Sequence, residues 1–430
     1  EQPDLKEFFT NLPELIVSDE DRKPLVDLLQ QIMIRRTRRN ILANYATEGP
    51  DGRKGLNIKG DWFYFPERKL REPLRYDIGK IYGKETLYDK IREKLRSLTM
   101  ASYGPGNYIY PKFKDKQPYS DLKQGSFLLI GLIRTLLLKR FESSVYAFRK
   151  TVRRMGIRCQ TLVDLNKKNP KATYMPLGKE FAGILEYVGH NDQSVQDERE
   201  ILQRLVEENI KHGKYRREAF DVKSYIKDLE QDAETYREIH KMVSSIGPKE
   251  DTKIKELQKL LNKLSKENKR ILLFSEFADT IDYLDENISY KGNKKAVSGA
   301  QDNAKEIQKA VTLFAPEPNY YELNANEKEI DLLLTTDVIS EGQNLQTGNV
   351  IINYDIHWNP VRLIQRIGRV DRIGSKHTDI DVYNFLPDPE LEKNLGLEAV
   401  VRKHIDDIQY VIGEDSKILT RDIGLPLFES

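Results

Sequence analysis

The chain has 430 residues, more than one core ordinarily holds, and its 39% hydrophobic and 32% charged residues describe a buried core under an unusually charged surface. Lysine plus arginine (70) nearly balances aspartate plus glutamate (68), which excludes attraction to a polyanion through overall charge and leaves local basic patches as the only route. Cys159 is the sole cysteine, which excludes an internal disulfide framework or a cysteine-rich zinc site and fits a packed thiol in a reducing, intracellular compartment.

The chain opens on Glu1 rather than methionine, and the expectation is a fragment. Residues 48–65 hold Gly49, Gly52, Gly55, Gly60 and Pro50 beside Trp62 and Tyr64, the composition of an irregular connection or a small hairpin. Residues 126–154 read as one long helix. Its most apolar run, 127–138, is broken by Arg134 and is shorter than the roughly 20 residues a membrane span needs, so no membrane partner is expected. Residues 196–269, dense in Glu, Lys, Arg and Gln with apolar residues at helical spacing, read as helical appendages. From 270 to 385 the pattern changes. Apolar runs at 271–274, 295–297, 330–335, 349–354 and 380–385 read as strands, and 279–288, 302–314, 338–345 and 360–373 as helices, with Pro360 suited to a first helical turn. That alternation is the signature of an α/β fold with a doubly wound parallel sheet. No internal repeat or low-complexity tract is present.

The most informative stretch is Asp355-Ile-His-Trp-Asn-Pro-Val-Arg-Leu-Ile-Gln-Arg-Ile-Gly-Arg-Val-Asp-Arg-Ile-Gly374. At 100° per residue Gln365, Arg369 and Arg372 share one helix face, with Leu363, Ile364, Ile367 and Val370 gathered opposite. Such a helix would sit on its apolar side and offer two permanently charged planar donors, suited to phosphate oxygens. An arginine-rich helix can also be a solvated face laced with salt bridges.

The same residues carry a resemblance. Gln365-Arg-Ile-Gly-Arg-Val-Asp-Arg-Ile-Gly374 resembles motif VI of superfamily-two helicases, and Asp355-Ile-His-Trp-Asn-Pro360 is similar to the Asp-x-x-Trp-Asn-Pro signature of their Swi/Snf branch. The resemblance implies a RecA-like lobe in which Arg369 and Arg372 are finger arginines reaching across a cleft to the γ-phosphate of ATP, with Gln365 leading the motif. Ile330-Asp-Leu-Leu-Leu-Thr-Thr-Asp-Val-Ile-Ser-Glu-Gly-Gln-Asn-Leu-Gln346 resembles motif V. It implies a nucleic-acid contact at Thr336 and approach to the nucleotide at Gly342 and Asn344. Arg270-Ile-Leu-Leu-Phe-Ser-Glu-Phe277 is similar to motif IV, and Val297-Ser-Gly299 to the loop after it, which implies nucleic-acid contacts at Ser275, Ser298 and Gly299. Gln31-Ile-Met-Ile-Arg-Arg-Thr-Arg-Arg-Asn40 and Phe65-Pro-Glu-Arg68 resemble segments that follow the first lobe in the Swi/Snf branch. Leu136-Leu-Leu-Lys-Arg-Phe-Glu-Ser-Ser144 resembles the bacterial subgroup that includes the RNA-polymerase-associated ATPase, which implies a cytoplasmic, nucleoid-associated protein with RNA polymerase or another protein as a candidate partner.

The resemblance implies the following organisation: a linker or brace over 1–66, a helical insertion over 67–250, the RecA-like lobe over 251–390 and a helical extension over 391–430. A complete motor also needs a Gly-x-x-x-x-Gly-Lys-Ser/Thr loop and an acidic magnesium site. Each Gly-Lys pair here is followed by the wrong residue (Ile81, Glu85, Glu180, Tyr215), and the Asp-Glu pair at Asp19 reads instead as a helix start capped by Ser18 or Asp19. ATP and Mg2+ are therefore expected to be held mainly by an N-terminal lobe of the same polypeptide, leaving this chain inactive alone. Basic clusters lie at Arg35, Arg36, Arg38 and Arg39 and at Arg149, Lys150, Arg153 and Arg154. Arg149 and Arg153 on one helix face could follow a phosphate backbone, or simply face water. The six histidines show no metal spacing, and no metal ligands are expected. The leading reading is a double-stranded-DNA translocase. A strand-separating RNA or DNA helicase and a non-catalytic protein-binding platform remain as alternatives.

Overall fold

The computed structural model describes residues 38–76, 87–168, 170, 171, 173, 175, 215–299, 304–339, 343–357 and 359–386. The expected helix start at Ser18 or Asp19, the basic positions Arg35 and Arg36, Gly342 and the extension at 391–430 lie outside them.

Ahead of the sheet come a short helix α1 (Arg38–Asn44) and a three-stranded antiparallel unit of β1 (Thr47–Glu48), β2 (Lys54–Ile58) and β3 (Asp61–Phe63). Of the two forms expected for the glycine-rich stretch, an irregular connection or a small hairpin, the hairpin is present, and Gly60, at φ +98°, occupies the left-handed turn that glycine tolerates. The next residues depart from expectation. Glu67–Leu70 (β4) and Leu74–Arg75 (β5), read as part of a helical region, are strands that pair in parallel with the last strand of the main sheet.

Helices α2 (Leu87–Ser97), α3 (Tyr119–Ser143), α4 (Val145–Lys168), α5 (Val222–Val243) and α6 (Thr252–Leu264) follow. The stretch read as one long helix is two. Ser144 is extended at φ −158°, ψ 146°, its N–H donating back to the Arg140 carbonyl while its Oγ accepts from the Ala147 N–H at 3.1 Å, so one serine ends α3 and starts α4.

The lobe then alternates β6 (Ile271–Phe274), α7 (Ala278–Asn287), β7 (Lys294–Val297), α8 (Ala304–Phe314), β8 (Leu332–Thr335), β9 (Val350–Asn353), α9 (Pro360–Gly368) and β10 (Asp379–Leu386). The strand order is β7-β8-β6-β9-β10-β4, with every pairing parallel. The five expected strands are all present. The helix expected at 338–345 is not: the described residues there form a single 3-10 turn, Asp337–Ile339, followed by irregular chain from 343.

The central strands β6, β8 and β9 are buried at every position, as a parallel sheet covered on both faces requires. Because side chains alternate, Ile271, Leu273, Leu332, Leu334, Val350 and Ile352 enter one core with the helices that precede the lobe, and Leu272, Phe274, Leu333 and Ile351 enter another with α8 and α9. The helices α3 to α6, read as appendages, therefore share a core with one face of the sheet.

A buried polar seam joins the two. The Glu142 carboxylate at the end of α3 accepts from the Tyr76 hydroxyl at 2.8 Å and from Lys253 Nζ on α6 at 3.2 Å, and Lys253 also donates to the Glu142 and Ser143 carbonyls. Burial pushes the Glu142 carboxyl up to about 7, against the pull of Lys253 and with help from the nearby Asp355 charge. The native state then holds a proton that the unfolded chain has released above its ordinary value of 4.5, so this contribution is complete below that value and is lost as pH rises through 7. The urea midpoint should fall from pH 5 to pH 7, and Glu142→Gln should flatten that slope; an unchanged slope in the variant rules out Glu142 as its source.

Candidate functional site

The carboxyl ends of neighbouring parallel strands are where open α/β sheets bind ligands. Here the four adjacent strands β7, β8, β6 and β9 end in Val297, Thr335, Phe274 and Asn353, so Ser298 and Gly299, Thr336, Ser275 and Asp355 gather along one edge. The motifs found separately in the sequence are thus brought together.

Their exposures differ. Ser275 is fully buried; its Oγ donates to Asp355 Oδ2 at 2.5 Å, and its backbone N–H donates to the Thr335 carbonyl. Ser143, from the end of α3, donates to the same Asp355 oxygen at 2.6 Å, and the Glu276 N–H donates to the other at 2.7 Å. Ser275 is therefore a strut inside the lobe and not a surface contact in this conformation, because its hydroxyl already serves a buried carboxylate. Ser298 is likewise buried. Gly299 is exposed and sits against the turn after β8: a Cβ there would lie 3.0 Å from Val338 Cγ2. Thr336 is half-buried.

Behind this edge lies an ion pair that sequence reading missed. Arg366, fully buried on α9, makes a two-pronged contact to Asp337, Nε to Oδ1 at 2.6 Å and Nη2 to Oδ2 at 2.8 Å. Its Nη1 donates to Asn353 Oδ1 and to the Asp355 carbonyl, so one guanidinium ties the turn after β8 to the end of β9. Burial by itself would raise the Asp337 carboxyl; the facing Arg366 charge and hydrogen bonds reverse this and hold it below the usual range. Arg366 moves correspondingly upward: burial alone would lower it, and Asp337 outweighs that.

Helix α9 starts as expected. Asn359 caps it, Oδ1 accepting from the Val361 N–H at 3.0 Å, and His357 is buried with Nδ1 accepting from the Asn359 N–H. Its end corrects the reading over 360–373. The helix stops at Gly368, with Arg369 as its C-cap residue, so Gln365 and Arg369 still share a face but Arg372 belongs to the turn that follows. Leu363, Ile367 and Val370 are fully buried as expected. Gln365, Arg369 and Arg372 are half-buried, and Arg372 Nε donates to the Gly368 carbonyl at 3.2 Å. Two buried oxygens, Gln365 Oε1 and Asn344 Oδ1, have no hydrogen-bond donor among the described residues. Both are acceptors that a ligand amino or hydroxyl group could satisfy.

The turn itself is held by residues far ahead of it in the chain. Asp371, with a side chain 1% exposed, receives Arg68 Nε from β4 and Arg38 Nη1 from α1, the latter 3.2 Å from both carboxylate oxygens. Arg38, itself partly exposed, thus pairs with a buried carboxylate.

On α4, Arg149 is half-buried and donates to the Ser244 and Ile246 carbonyls just past the end of α5, the preferred place for a cation at a helix C-terminus. Lys150 pairs with Asp279 at 2.6 Å. Arg153 is exposed, and the positive field it makes with Arg149 adds to burial in lowering the neighbouring His240. Of the two positions expected to face a phosphate backbone, Arg153 lies open and Arg149 braces two helices. Among the described residues no group of three or more His, Cys, Asp and Glu could hold a metal ion, and no helix is long and apolar enough to cross a membrane.

Residues 252–374 match the helicase conserved C-terminal domain. The chain is 41% identical over 93 residues to the "uncharacterized ATP-dependent helicase YqhH" of Bacillus subtilis, covering 22% of this chain and 16% of that protein. It is 29% identical over 153 residues to the human "SWI/SNF-related matrix-associated actin-dependent regulator of chromatin subfamily A member 1", covering 35% of this chain and 14% of that protein. It is 28% identical over 157 residues to the "ISWI chromatin-remodeling complex ATPase ISW1" of Saccharomyces cerevisiae, covering 36% of this chain and 13% of that protein. The chain therefore matches only a small part of each relative's length. The C-terminal part of the Fun30 ATPase domain superposes with a TM-score of 0.37 at 15% identity, covering 80% of this chain and 100% of that one.

Proposed function

Since this chain carries the C-terminal RecA-like lobe of a Swi/Snf-type helicase, we propose that it forms the second half of an ATP-driven double-stranded-DNA translocase. The observation that carries the reading is the seating of motif VI: Arg366, Leu363, Ile367 and Val370 bury one side of it, while Gln365, Arg369 and Arg372 stay half-buried, and Gln365 Oε1 and Asn344 Oδ1 have no donor among the described residues. In this reading Arg369 and Arg372 meet the γ-phosphate, and Gln365, Asn344 and Gly342 approach the rest of the nucleotide. Planar guanidinium donors held in advance suit the charge that spreads over phosphoryl oxygens during transfer. Gly299 and Thr336, exposed or half-buried on the strand-end edge, face the nucleic acid, with Arg153 as an outlying contact; Ser275 and Ser298 shape the edge from beneath.

The magnesium ligands and the phosphate loop are assigned to an N-terminal lobe of the same polypeptide. Residues 1–66 act as linker and brace, 67–250 carry two strands of the lobe's sheet and then the helical layer, 251–390 form the rest of the lobe and 391–430 extend it. Closure of the two lobes on ATP would bring the arginines to the phosphate and convert hydrolysis into a step along DNA. RNA polymerase or another protein is a candidate partner, and a cytoplasmic, nucleoid-associated setting follows from the bacterial subgroup.

The test is ATP turnover by the full-length protein with and without duplex DNA, beside the same assay on this chain. Duplex-stimulated turnover by the first and none by the second is expected. Turnover by the chain alone overturns the division of labour, and strand displacement by the full-length protein replaces the translocase with a strand-separating helicase.

A further inference from the structure

The last helical hydrogen bond runs from the Asp371 N–H to the Ile367 carbonyl, so the helix ladder no longer directs the chain that carries Arg372 beyond it. Something else must, because a phosphate contact displaced by about 1 Å can cost on the order of 100-fold in rate. Between the two arginines sits Asp371, a short acidic residue pointing inward, its carboxylate shared by Arg38 and Arg68. Both partners come from chain well ahead of the lobe, 333 and 303 residues away in sequence.

The surroundings are built to hold that arrangement. Arg38 lies over the Phe65 ring at 5.2 Å, which fixes its guanidinium plane. Arg68 is carried by β4, itself locked in register against β10. The far end of the turn rests on the hairpin: the Gly374 N–H donates to the Tyr64 carbonyl, and a Cβ on Gly374, which sits at φ +84°, would touch the Phe63 ring at 3.4 Å. At the near end the Leu345 N–H donates to the Arg369 carbonyl.

We propose that Arg38 and Arg68, acting through Asp371, are positioning residues that set the reach of Arg369 and Arg372 toward the nucleotide. Neither touches the nucleotide. The clamp couples the hairpin-and-linker region to the phosphate-facing turn, so a change in how that region sits changes turnover without changing the arginines themselves. The inference rests on the reading of Arg369 and Arg372 given above.

The experiment uses the full-length protein and compares Arg68→Ala, Arg38→Ala and Arg68→Lys with Arg369→Ala and with a combined Arg68→Ala, Arg369→Ala variant. Arg68→Ala is expected to lower kcat roughly 10-fold to 100-fold with the KM for ATP nearly unchanged. Arg38, more exposed at 27% against 20%, should show a smaller loss in the same direction. Arg68→Lys keeps the charge and should recover part of kcat, counted per folded molecule so that regained stability is not taken for regained positioning. Without Arg369 the clamp has less to position, so Arg68→Ala should cost less in the combined variant than alone. Clamp variants at full kcat beside a crippled Arg369→Ala overturn the clamp alone. Arg369→Ala at full kcat overturns the finger reading and the clamp with it. A kcat that falls only in proportion to the folded fraction also overturns the clamp.

Discussion

Arg369→Ala in the full-length protein is expected to lower duplex-stimulated ATP turnover by roughly 10³-fold or more while leaving nucleotide affinity nearly unchanged. The asymmetry follows from when the contact matters. A guanidinium aimed at the γ-phosphate gains most as charge spreads over the transferring oxygens, so its removal weakens the transition state far more than the ground state. Arg369 occupies the C-cap position of α9 and Arg372 the turn beyond, so Arg372→Ala should behave alike but retain more activity where the turn can readjust. Turnover and equilibrium nucleotide binding, measured on the same preparations, separate this from a binding role. Equal loss of both would remove either arginine from the transition state.

The central strands β6, β8 and β9 were legible because each is a short run buried on both faces, and that pattern survives without knowledge of partners. The start of α9 was equally plain, since Asn359 and Pro360 form a local signal. Its end was not: the apolar spacing continues through buried Val370 although the backbone leaves the helix at Gly368, and periodicity reports burial whether or not hydrogen bonds persist. The break at Ser144 was hidden for the opposite reason, because a serine within an apolar helix becomes a cap only through the geometry around it. β4 was missed because Glu-Arg-Lys-Leu has no strand signature; it is an edge strand held by register against β10 and by Arg68 reaching Asp371. The pairs that hold the site, Arg366 with Asp337 and Asp371 with Arg38 and Arg68, join residues 29 to 333 positions apart. No local pattern in a single sequence encodes such a distance.

Arg366→Met should destabilise this chain by about 3 to 5 kcal/mol in urea unfolding. Methionine fills much of the volume but leaves the Asp337 carboxylate buried without its two-pronged partner, and an uncompensated buried charge costs more than the pair contributes. The pH dependence distinguishes this from lost packing. In the native chain Asp337 is held below its ordinary 3.8, so its contribution is complete above that value and disappears as pH falls through the lower folded value. Without Arg366 the largest charge opposing burial is gone and the pulls of His357 and Arg362 against it are smaller, so the carboxyl moves upward and Arg366→Met should lose stability as pH rises from acid toward neutrality, the reverse of the native sign for this group. Adding Asp337→Leu removes the stranded charge and should restore most of the stability, as apolar replacement of both members of a buried pair often does. The double substitution should nevertheless lower turnover by the full-length protein: Arg366 also binds Asn353 and the Asp355 carbonyl, which tie α9 to the strand ends where nucleotide and nucleic acid are proposed to meet. A refolded, stable double variant with undiminished turnover would show that the pair contributes to stability alone.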